Sequence, residues 1–249
     1  MSLKFSPGNH TYKMDGKKVQ GVTTILNLAM PKPAIAPWAA KTIAEWIADN
    51  ESGLEQLRLM GRAPMVNAIK NIPWEKRDEA AIKGTDVHAI AEKLIHGESV
   101  DVPAHLVDHV KGYADLIDAF GIEPILTEVS VGNRKEWYAG RLDIVAKMKG
   151  EIWLLDNKTS KGVYGETALQ TSAYGKCEFY VNDGDWETEI AMPHIDRIGV
   201  IHITDSGSTL HDLGDIDEAF KIFRHAKFLA NKIEHIKGLV SEPLVAEEM

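Results

Sequence analysis

The spacing of apolar residues changes once along this chain, and that change constrains the fold more than any other feature. Before Ile125 the apolar positions recur with the period of about 3.6 that is typical of helices, and from there they alternate with a period of about two, typical of strands. Consecutive strands are predicted over 125–131, 137–148 and 151–158. The pattern therefore predicts an α/β fold in which helices flank a central mixed sheet, with a helical N-terminal region.

The N-terminal region divides into a hairpin and a series of helices. Asp15-Gly16 tolerates positive φ and predicts a tight hairpin over 10–20. Prolines then divide 22–72 into several short helices, because proline lacks the N–H donor that a helix interior needs. These residues are Pro31, Pro33, Pro37, Pro64 and Pro73. Further helices are predicted over 74–97, 103–120, 166–180 and 216–239, and further strands over 196–204 and 208–213.

The length and composition fit one globular domain. The chain has 249 residues, of which 44% are hydrophobic, enough to bury a sizeable core. We expect a single domain over 1–249, with a hairpin and helical region at 1–73, a core at 74–213, and a C-terminal helix and acidic tail at 214–249. Cys177 is the only cysteine, which excludes an intrachain disulfide. Short apolar stretches and the absence of a signal pattern predict a cytoplasmic protein without a membrane span.

Charge is distributed unevenly along the sequence. The formal net charge of −9 argues against a protein built to coat nucleic acid. Residues 182–218 hold ten acids against Arg197 alone, whereas residues 132–165 hold seven bases against four acids. A local basic patch on an acidic protein fits a phosphate-binding surface, and we expect the acidic segment to lie away from it.

The turn at 149–150 brings two acids together. A two-residue loop there places Asp143 directly opposite Asp156 and Arg141 opposite Lys158. All four side chains share one face of the sheet, because residues two apart on a strand point the same way. Facing carboxylates about 5 Å apart repel each other, and a divalent metal would compensate that repulsion.

The preceding strand adds a third acid to this face. A turn centred on Arg134-Lys135 places Glu128 opposite Arg141, with the same orientation as Asp143. Carboxylate oxygens suit Mg²⁺ or Mn²⁺, as one or two ions per site, and Lys158 can orient the attacking water or help to deprotonate it. The arrangement predicts metal-assisted hydrolysis of phosphodiester bonds.

Five sequence elements extend this pattern along the chain. They are Gly21-Val-Thr-Thr-Ile-Leu, Gly84-Thr-Asp-Val-His88, Gly140-Arg-Leu-Asp143, Asp156-Asn-Lys158 and Gln170-Thr-Ser-Ala-Tyr174. In this order and spacing they resemble the PD-(D/E)XK nuclease superfamily, and specifically the phage-type members of its RecB-like exonuclease branch. The resemblance implies a restriction-endonuclease-like core.

The resemblance also implies roles for the matched residues. His88, Asp143 and Asp156 would ligate the metal together with the backbone carbonyl of Asn157, while Lys158 would position the attacking water. Glu128 would be a further acid of the site. The candidates for contact with DNA are Gln170, Tyr174, Lys161, Tyr164 and Arg141.

The sequence departs from the superfamily pattern at three points. Leu142 stands where the superfamily name has proline, and the second acid, Asp156, is aspartate rather than glutamate. Both changes are tolerated widely among the members. The four cysteines that bind an iron-sulfur cluster in some relatives are missing, so we expect a member without that cluster, and the chain also lacks a Walker A pattern.

Structural alternatives exist for several of these residues. His88 alone fits a surface or core histidine, and Glu128 fits an ion pair with Arg141. Gln170 and Tyr174 also fit a packed helix face, and charged loops are usually only solvated. Three other histidines lack the spacing of metal ligands: His194, His202 and His211.

Together these patterns predict a metal-dependent deoxyribonuclease. The expected form is an exonuclease that acts on DNA ends, single-stranded or duplex, in recombination, repair or phage DNA processing. The alternatives are a structure- or site-specific endonuclease of the same superfamily and a catalytically inactive DNA-binding subunit. The acidic segment 182–218 is a candidate surface for a recombinase, a helicase or a single-strand-binding partner.

Overall fold

A computed structural model describes residues 2–243 of the chain. It confirms an α/β fold with mixed sheets. Two compact units are present: Pro31–Ala89 forms one, and the described residues on either side of it form the other. No helix within residues 2–243 combines the length and the apolar character that a bilayer crossing requires.

The predicted N-terminal hairpin is present and gains a third strand. β1 (Leu3–Ser6) pairs with β2 (Thr11–Met14), and β2 pairs with β3 (Lys17–Gly21). Asp15 and Gly16 form the turn with φ of 50° and 76°. Positive φ at both central residues is what a tight two-residue hairpin requires, so this prediction is confirmed.

Helices follow the hairpin, as predicted, but one of the prolines does not end a helix. The helices are α1 (Val22–Ala29), α2 (Ile35–Asp49), α3 (Glu51–Leu59), α4 (Arg62–Ile95) and α5 (Val107–Phe120). Pro37 and Pro64 lie in the first turns of α2 and α4, where the N–H has no partner within the helix. Pro73 lies inside α4, so the predicted boundary at residues 73–74 is wrong: the loss of one backbone hydrogen bond does not break a helix of 34 residues.

The three strands predicted after residue 125 are present, but two of them are divided. The strands are β4 (Glu123–Thr127), β5 (Ser130–Asn133), β6 (Tyr138–Arg141), β7 (Ile144–Met148) and β8 (Glu151–Lys158). The first predicted strand breaks at Glu128, which has φ of 50°, and the second breaks at Leu142 and Asp143. At each break the chain passes from one sheet to another.

The remaining elements complete two sheets. They are α6 (Glu166–Gly175), β9 (Phe179–Val181), β10 (Ile190–Ala191), β11 (Arg197–Thr204), β12 (Gly207–Asp212) and α7 (Ile216–Lys237). Within residues 2–243 one sheet has the order β1-β2-β3-β6-β5-β9-β10 and the other β12-β11-β8-β7-β4. The end of the acidic tail, residues 244–249, lies outside the described residues.

The β7–β8 hairpin has the predicted register. Ile144 pairs with Leu155, and Met148 pairs with Glu151, across a two-residue turn in which Lys149 and Gly150 both have positive φ. Extending this ladder by one pair places Asp143 across from Asp156.

The register of the preceding strands differs from the prediction by two residues. Ser130, not Glu128, pairs with Arg141, because the β5–β6 loop contains four residues rather than two. Asn133 holds this loop by accepting a hydrogen bond from the backbone N–H of Glu136 over 2.7 Å. A shift of two residues keeps the side chains of β5 and β6 on their predicted faces. Glu128 lies at the break before β5, where its N–H donates a hydrogen bond to the carbonyl of Asp143.

The main core lies between the sheets and the helices α1, α6 and α7. Tyr138, Leu154, Tyr174 and Phe223 are all buried there. Gly140 lies directly beside the ring of Tyr174: a Cβ at this position would be 2.9 Å from Cδ1 of that ring. The glycine at the start of the Gly140-Arg-Leu-Asp143 element is therefore required by packing.

We predict that Gly140→Ala lowers the free energy of unfolding by about 1–3 kcal/mol, because the added methyl group must displace a buried ring. Urea unfolding followed by circular dichroism measures the loss. Gly8→Ala is the matched control, since no described heavy atom lies within 4 Å of the corresponding position. Equal stability of the two variants would contradict the packing explanation.

Candidate active site

Asp143 is fixed by backbone contacts on both sides. Its carboxylate Oδ2 accepts a hydrogen bond from the backbone N–H of Asn157 over 2.7 Å, and its carbonyl accepts one from the N–H of Glu128 over 2.8 Å. These bonds join the end of β4, the start of β7 and the end of β8. The position of this partly exposed acid therefore depends on the crossing of the chain between the two sheets.

Asp156 is the most deeply buried acid of the site, with 1% of its surface exposed. The ammonium Nζ of Lys158 lies 2.5 Å from its Oδ2. The amide Nε2 of Gln170 donates a hydrogen bond to its Oδ1 over 2.8 Å. Both carboxylate oxygens thus have a polar partner, as a buried charge requires.

Glu128 is the third acid, and it lies beside Asp143. One carboxylate oxygen of Glu128 is within 4.8 Å of one from Asp143. Its Oε2 also accepts a hydrogen bond from Nε of Arg141 over 2.8 Å. Glu128 therefore takes part both in the acid cluster and in the ion pair with Arg141 that the sequence left as an alternative.

The electrostatics of the site reflect an excess of negative charge. Burial, followed by the charge of Asp156, raises the pKa of Asp143 to about 7, although Lys158 and the N–H of Asn157 oppose the shift. Burial, followed by the charge of Asp143, raises the pKa of Glu128 to about 7 against the opposing effect of Arg141. The cations present therefore do not fully compensate these two acids.

Lys158 is held in its charged form. Burial alone would lower its pKa, but the negative charges of Asp156 and Asp143 outweigh burial and raise it. A lysine with a raised pKa donates hydrogen bonds and is a poor general base at neutral pH. The raised pKa is therefore consistent with the predicted orienting role of Lys158 rather than the deprotonating role, and both stay predictions.

The donor set of the site fits a hard divalent cation. Glu128 and Asp143 offer close carboxylate oxygens whose raised pKa values indicate that a positive charge would be favourable there. Carboxylate oxygens are the ligands that Mg²⁺ and Mn²⁺ prefer. Asn157 lies on β8 between Asp156 and Lys158, and the use of its backbone carbonyl as a ligand stays a prediction.

His88 lies on α4 within the Pro31–Ala89 unit. Its side chain is partly buried. Its role as a metal ligand stays a prediction.

Arg141 does not have the surroundings expected of a DNA contact. Its guanidinium pairs with Glu128 through Nε and with Asp183 through Nη1, at 2.8 Å in each case. Two carboxylates therefore already neutralise it. We expected the acidic segment to lie away from the basic patch, and this prediction is wrong for Asp183. β5 pairs with β6 on one side and with β9 on the other, so Asp183, just after β9, lies close to Arg141 at the end of β6.

The two candidates on α6 have different environments, and neither is free. Gln170 bonds to Asp156, so its contact in the protein is with the acid. Tyr174 is 3% exposed and packs in the core. A ring this buried offers little surface to a nucleic acid, and the contact of Tyr174 with DNA stays a prediction.

Lys161 and Tyr164 lie in the loop between β8 and α6. Lys161 is exposed, and Tyr164 has 58% of its surface exposed. The structure thus leaves both side chains accessible next to the strand end that carries Lys158, and their contact with DNA stays a prediction.

Sequence reasoning missed two contacts that shape the site. One is the bond from Gln170 to Asp156, and the other is a bond from His202 to the carbonyl of Ser160. The second depends on the parallel pairing of β8 with β11, which joins segments separated by α6. No turn fixes the register of a parallel pair, so the sequence carries no local signal for it.

Comparisons with known proteins do not assign this site. The chain matches no protein-family model. A search of the curated proteins finds no significant match.

We predict that Asp143→Asn raises the melting temperature in EDTA at pH 8, because it removes one of two crowded negative charges while keeping an oxygen for the N–H of Asn157. The pKa of Asp143 is higher in the fold than in the unfolded chain, so the folded wild type binds more protons and loses stability as pH rises from about 4 to 7. The difference in melting temperature between Asp143→Asn and the wild type should therefore become smaller towards pH 5.

Asp156→Asn is the contrasting variant in this experiment. It removes the ion-pair partner of the half-buried Lys158 and the buried acceptor of the Gln170 amide, so its melting temperature should fall below that of the wild type. Thermal scans at pH 5 and pH 8 measure both variants. Equal destabilisation by the two substitutions at pH 8 would show that Asp143 is not under electrostatic strain.

Proposed function

We propose that this protein is a metal-dependent deoxyribonuclease that hydrolyses DNA phosphodiester bonds. The form that we propose first is an exonuclease. The observation that carries the proposal is the β7–β8 hairpin: its register aligns Asp143 with Asp156, and Lys158 lies 2.5 Å from Asp156. Two acids and a lysine in this arrangement are the elements that the resemblance to PD-(D/E)XK nucleases requires.

The fold around the hairpin supports the same proposal. α6 packs on the face that carries Asp156, since Gln170 reaches that acid. Tyr113 of α5 lies beside Asn157, which points to the opposite face because successive strand residues alternate. A mixed sheet with Asp156 on its central strand, Asp143 just before the neighbouring strand and helices on both faces is compatible with a restriction-endonuclease-like core.

Glu128, Asp143 and Asp156, with His88 and the backbone carbonyl of Asn157, are the groups proposed to hold Mg²⁺ or Mn²⁺. When bound, such an ion supplies positive charge that polarises the phosphate and lowers the pKa of a coordinated water. Within the chain, Asp156 holds the ammonium of Lys158 in place. That ammonium can donate a hydrogen bond to the attacking water or to a phosphate oxygen.

The decisive experiment is digestion of circular duplex, linear duplex and end-blocked single-stranded DNA with Mg²⁺, Mn²⁺ or EDTA. We expect degradation of linear DNA with either metal and none in EDTA. Nicking of the circle would favour the endonuclease alternative, and binding without cleavage would favour the inactive subunit. Full cleavage in EDTA would overturn the metal mechanism.

Substitutions assign the activity to this site. We predict that Asp143→Asn and Lys158→Met each lower the cleavage rate at least about hundredfold, because each removes a group aimed at the reacting phosphate or water. Asp185→Asn is the control, since the described contacts of its carboxylate are with Glu187 and Thr188 of its own loop. Retained cleavage by both site variants would place the chemistry elsewhere.

The pairing of Arg141 with Asp183 leads to a further prediction about binding. Asp183→Asn should remove one of the two carboxylates that pair with Arg141 and tighten binding of a duplex oligonucleotide in Ca²⁺, with the salt slope steeper by about 0.9 if one more phosphate is neutralised. Fluorescence anisotropy over a range of salt concentrations measures both quantities. Asp185→Asn removes the same charge nearby without touching Arg141, so an equal gain in both variants would contradict a specific role for Arg141.

A further inference from the structure

His202 lies next to Lys158 on the face of the sheet that carries the acids. β11 runs parallel to β8, and their register pairs His202 with Lys158 and Val200 with Asp156. Partners in a ladder point to the same face. His202 is thus the neighbour of the site lysine on the adjacent strand, although nothing in its sequence spacing indicates this.

His202 also bonds to the loop that leaves β8, defined here as the 159–165 loop. Its ring Nε2 lies 2.7 Å from the carbonyl oxygen of Ser160. A carbonyl oxygen only accepts hydrogen bonds, so His202 must carry a hydrogen on Nε2. The hydroxyl of Ser160 in turn donates to the carbonyl of Gly162 over 2.8 Å, which extends the contact into the loop.

The 159–165 loop connects two groups of the site. It begins directly after Lys158 and ends at α6, where the N–H of Thr167 donates to the carbonyl of Tyr164. One turn further along, Gln170 bonds to Asp156. The loop also carries the exposed side chains of Lys161 and Tyr164. The hydrogen bond from His202 to Ser160 therefore holds the start of the loop against β11, two residues after Lys158.

We propose that His202 is a positioning residue: its Nε2–H fixes the 159–165 loop so that Lys161 and Tyr164 lie where the DNA strand leaves the acid cluster. The substrate contacts would be a phosphate for Lys161 and a base for the ring of Tyr164. His202 itself would act through the loop. The DNA part of this inference rests on the proposed function, whereas the tie between His202 and the loop does not.

Limited trypsin digestion tests the tie without DNA. Cleavage after Lys161 requires the loop to open, and the exposed Lys149 in the β7–β8 turn serves as an internal reference site. His202→Ala should raise the rate of cleavage after Lys161, relative to that after Lys149, by about three- to tenfold, the range expected for loss of one hydrogen bond. A variant that unfolds would raise both rates, so the ratio separates local opening from global loss of structure.

Two matched variants sharpen this measurement. His202→Gln should behave like the wild type, because its amide Nε2–H can take the place of the ring donor. His211→Ala should also behave like the wild type: His211 lies beside His202 on the same face, but its Nε2 bonds to Thr209. An unchanged ratio in His202→Ala, or a ratio in His202→Gln as high as in the alanine variant, would overturn the proposal.

Binding of a labelled oligonucleotide in Ca²⁺ tests the DNA part. His202→Ala and Lys161→Ala should each raise Kd by about three- to tenfold, and the double variant should lose less than the product of the two single losses, because both act through one loop. Full additivity would overturn the coupling of His202 to Lys161. Absence of binding and cleavage by the wild type would overturn the proposed function and the DNA role together, while the digestion ratio would still decide whether His202 fixes the loop.

Discussion

The site depends on one interaction, the pairing of the buried Asp156 with the half-buried Lys158. An isolated carboxylate with 1% exposure would be strongly unfavourable, and removing one partner of a buried pair typically costs about 3–5 kcal/mol. Lys158, on the same strand, forms an ion pair with one oxygen of Asp156, and Gln170, on α6, donates a hydrogen bond to the other. Because the second partner comes from a helix, the buried acid also specifies where that helix must pack. Conversely, a displacement of α6 would remove the hydrogen bond that Gln170 donates to Asp156.

A second constraint is that the chain changes sheets twice at neighbouring positions, once between β4 and β5 and once between β6 and β7. Glu128 turns the first strand with a φ of 50°, and the second turns at Leu142 and Asp143. The two chain segments stay bonded through the break, since the N–H of Glu128 donates to the carbonyl of Asp143 and the N–H of Leu142 donates to that of Val129. The acid cluster therefore forms at the junction of the sheets, where side chains leave the regular ladder and can converge.

The sequence predicts those parts of this arrangement that depend on contacts between residues close together along the chain, such as a tight turn. A two-residue turn fixes the β7–β8 register, so the alignment of Asp143 with Asp156 follows from the spacing of residues along the chain. The four-residue β5–β6 loop has no such fixed geometry, and the predicted register is wrong by two residues, so that Ser130 and not Glu128 pairs with Arg141. The burial of Tyr174 and the contact of His202 arise from packing between distant segments, which a local pattern does not encode. The same holds for Asp183, whose pairing with Arg141 depends on β9 joining the sheet beside β5.

The three acids of the site are not equivalent, and the difference explains how such a cluster is compatible with folding. Asp156, the most buried, has an ion pair with Lys158 at one oxygen and a hydrogen bond from Gln170 at the other. Glu128 and Asp143 are less buried and have pKa values raised to about 7, so protons can neutralise them near neutral pH. A proton and a divalent cation compete for the same oxygens, and either one relieves the repulsion between the two acids. The chain therefore needs no metal ion to bury its deepest acid, which pairs with Lys158, and the proposed metal site lies at the two acids that protein groups leave incompletely compensated.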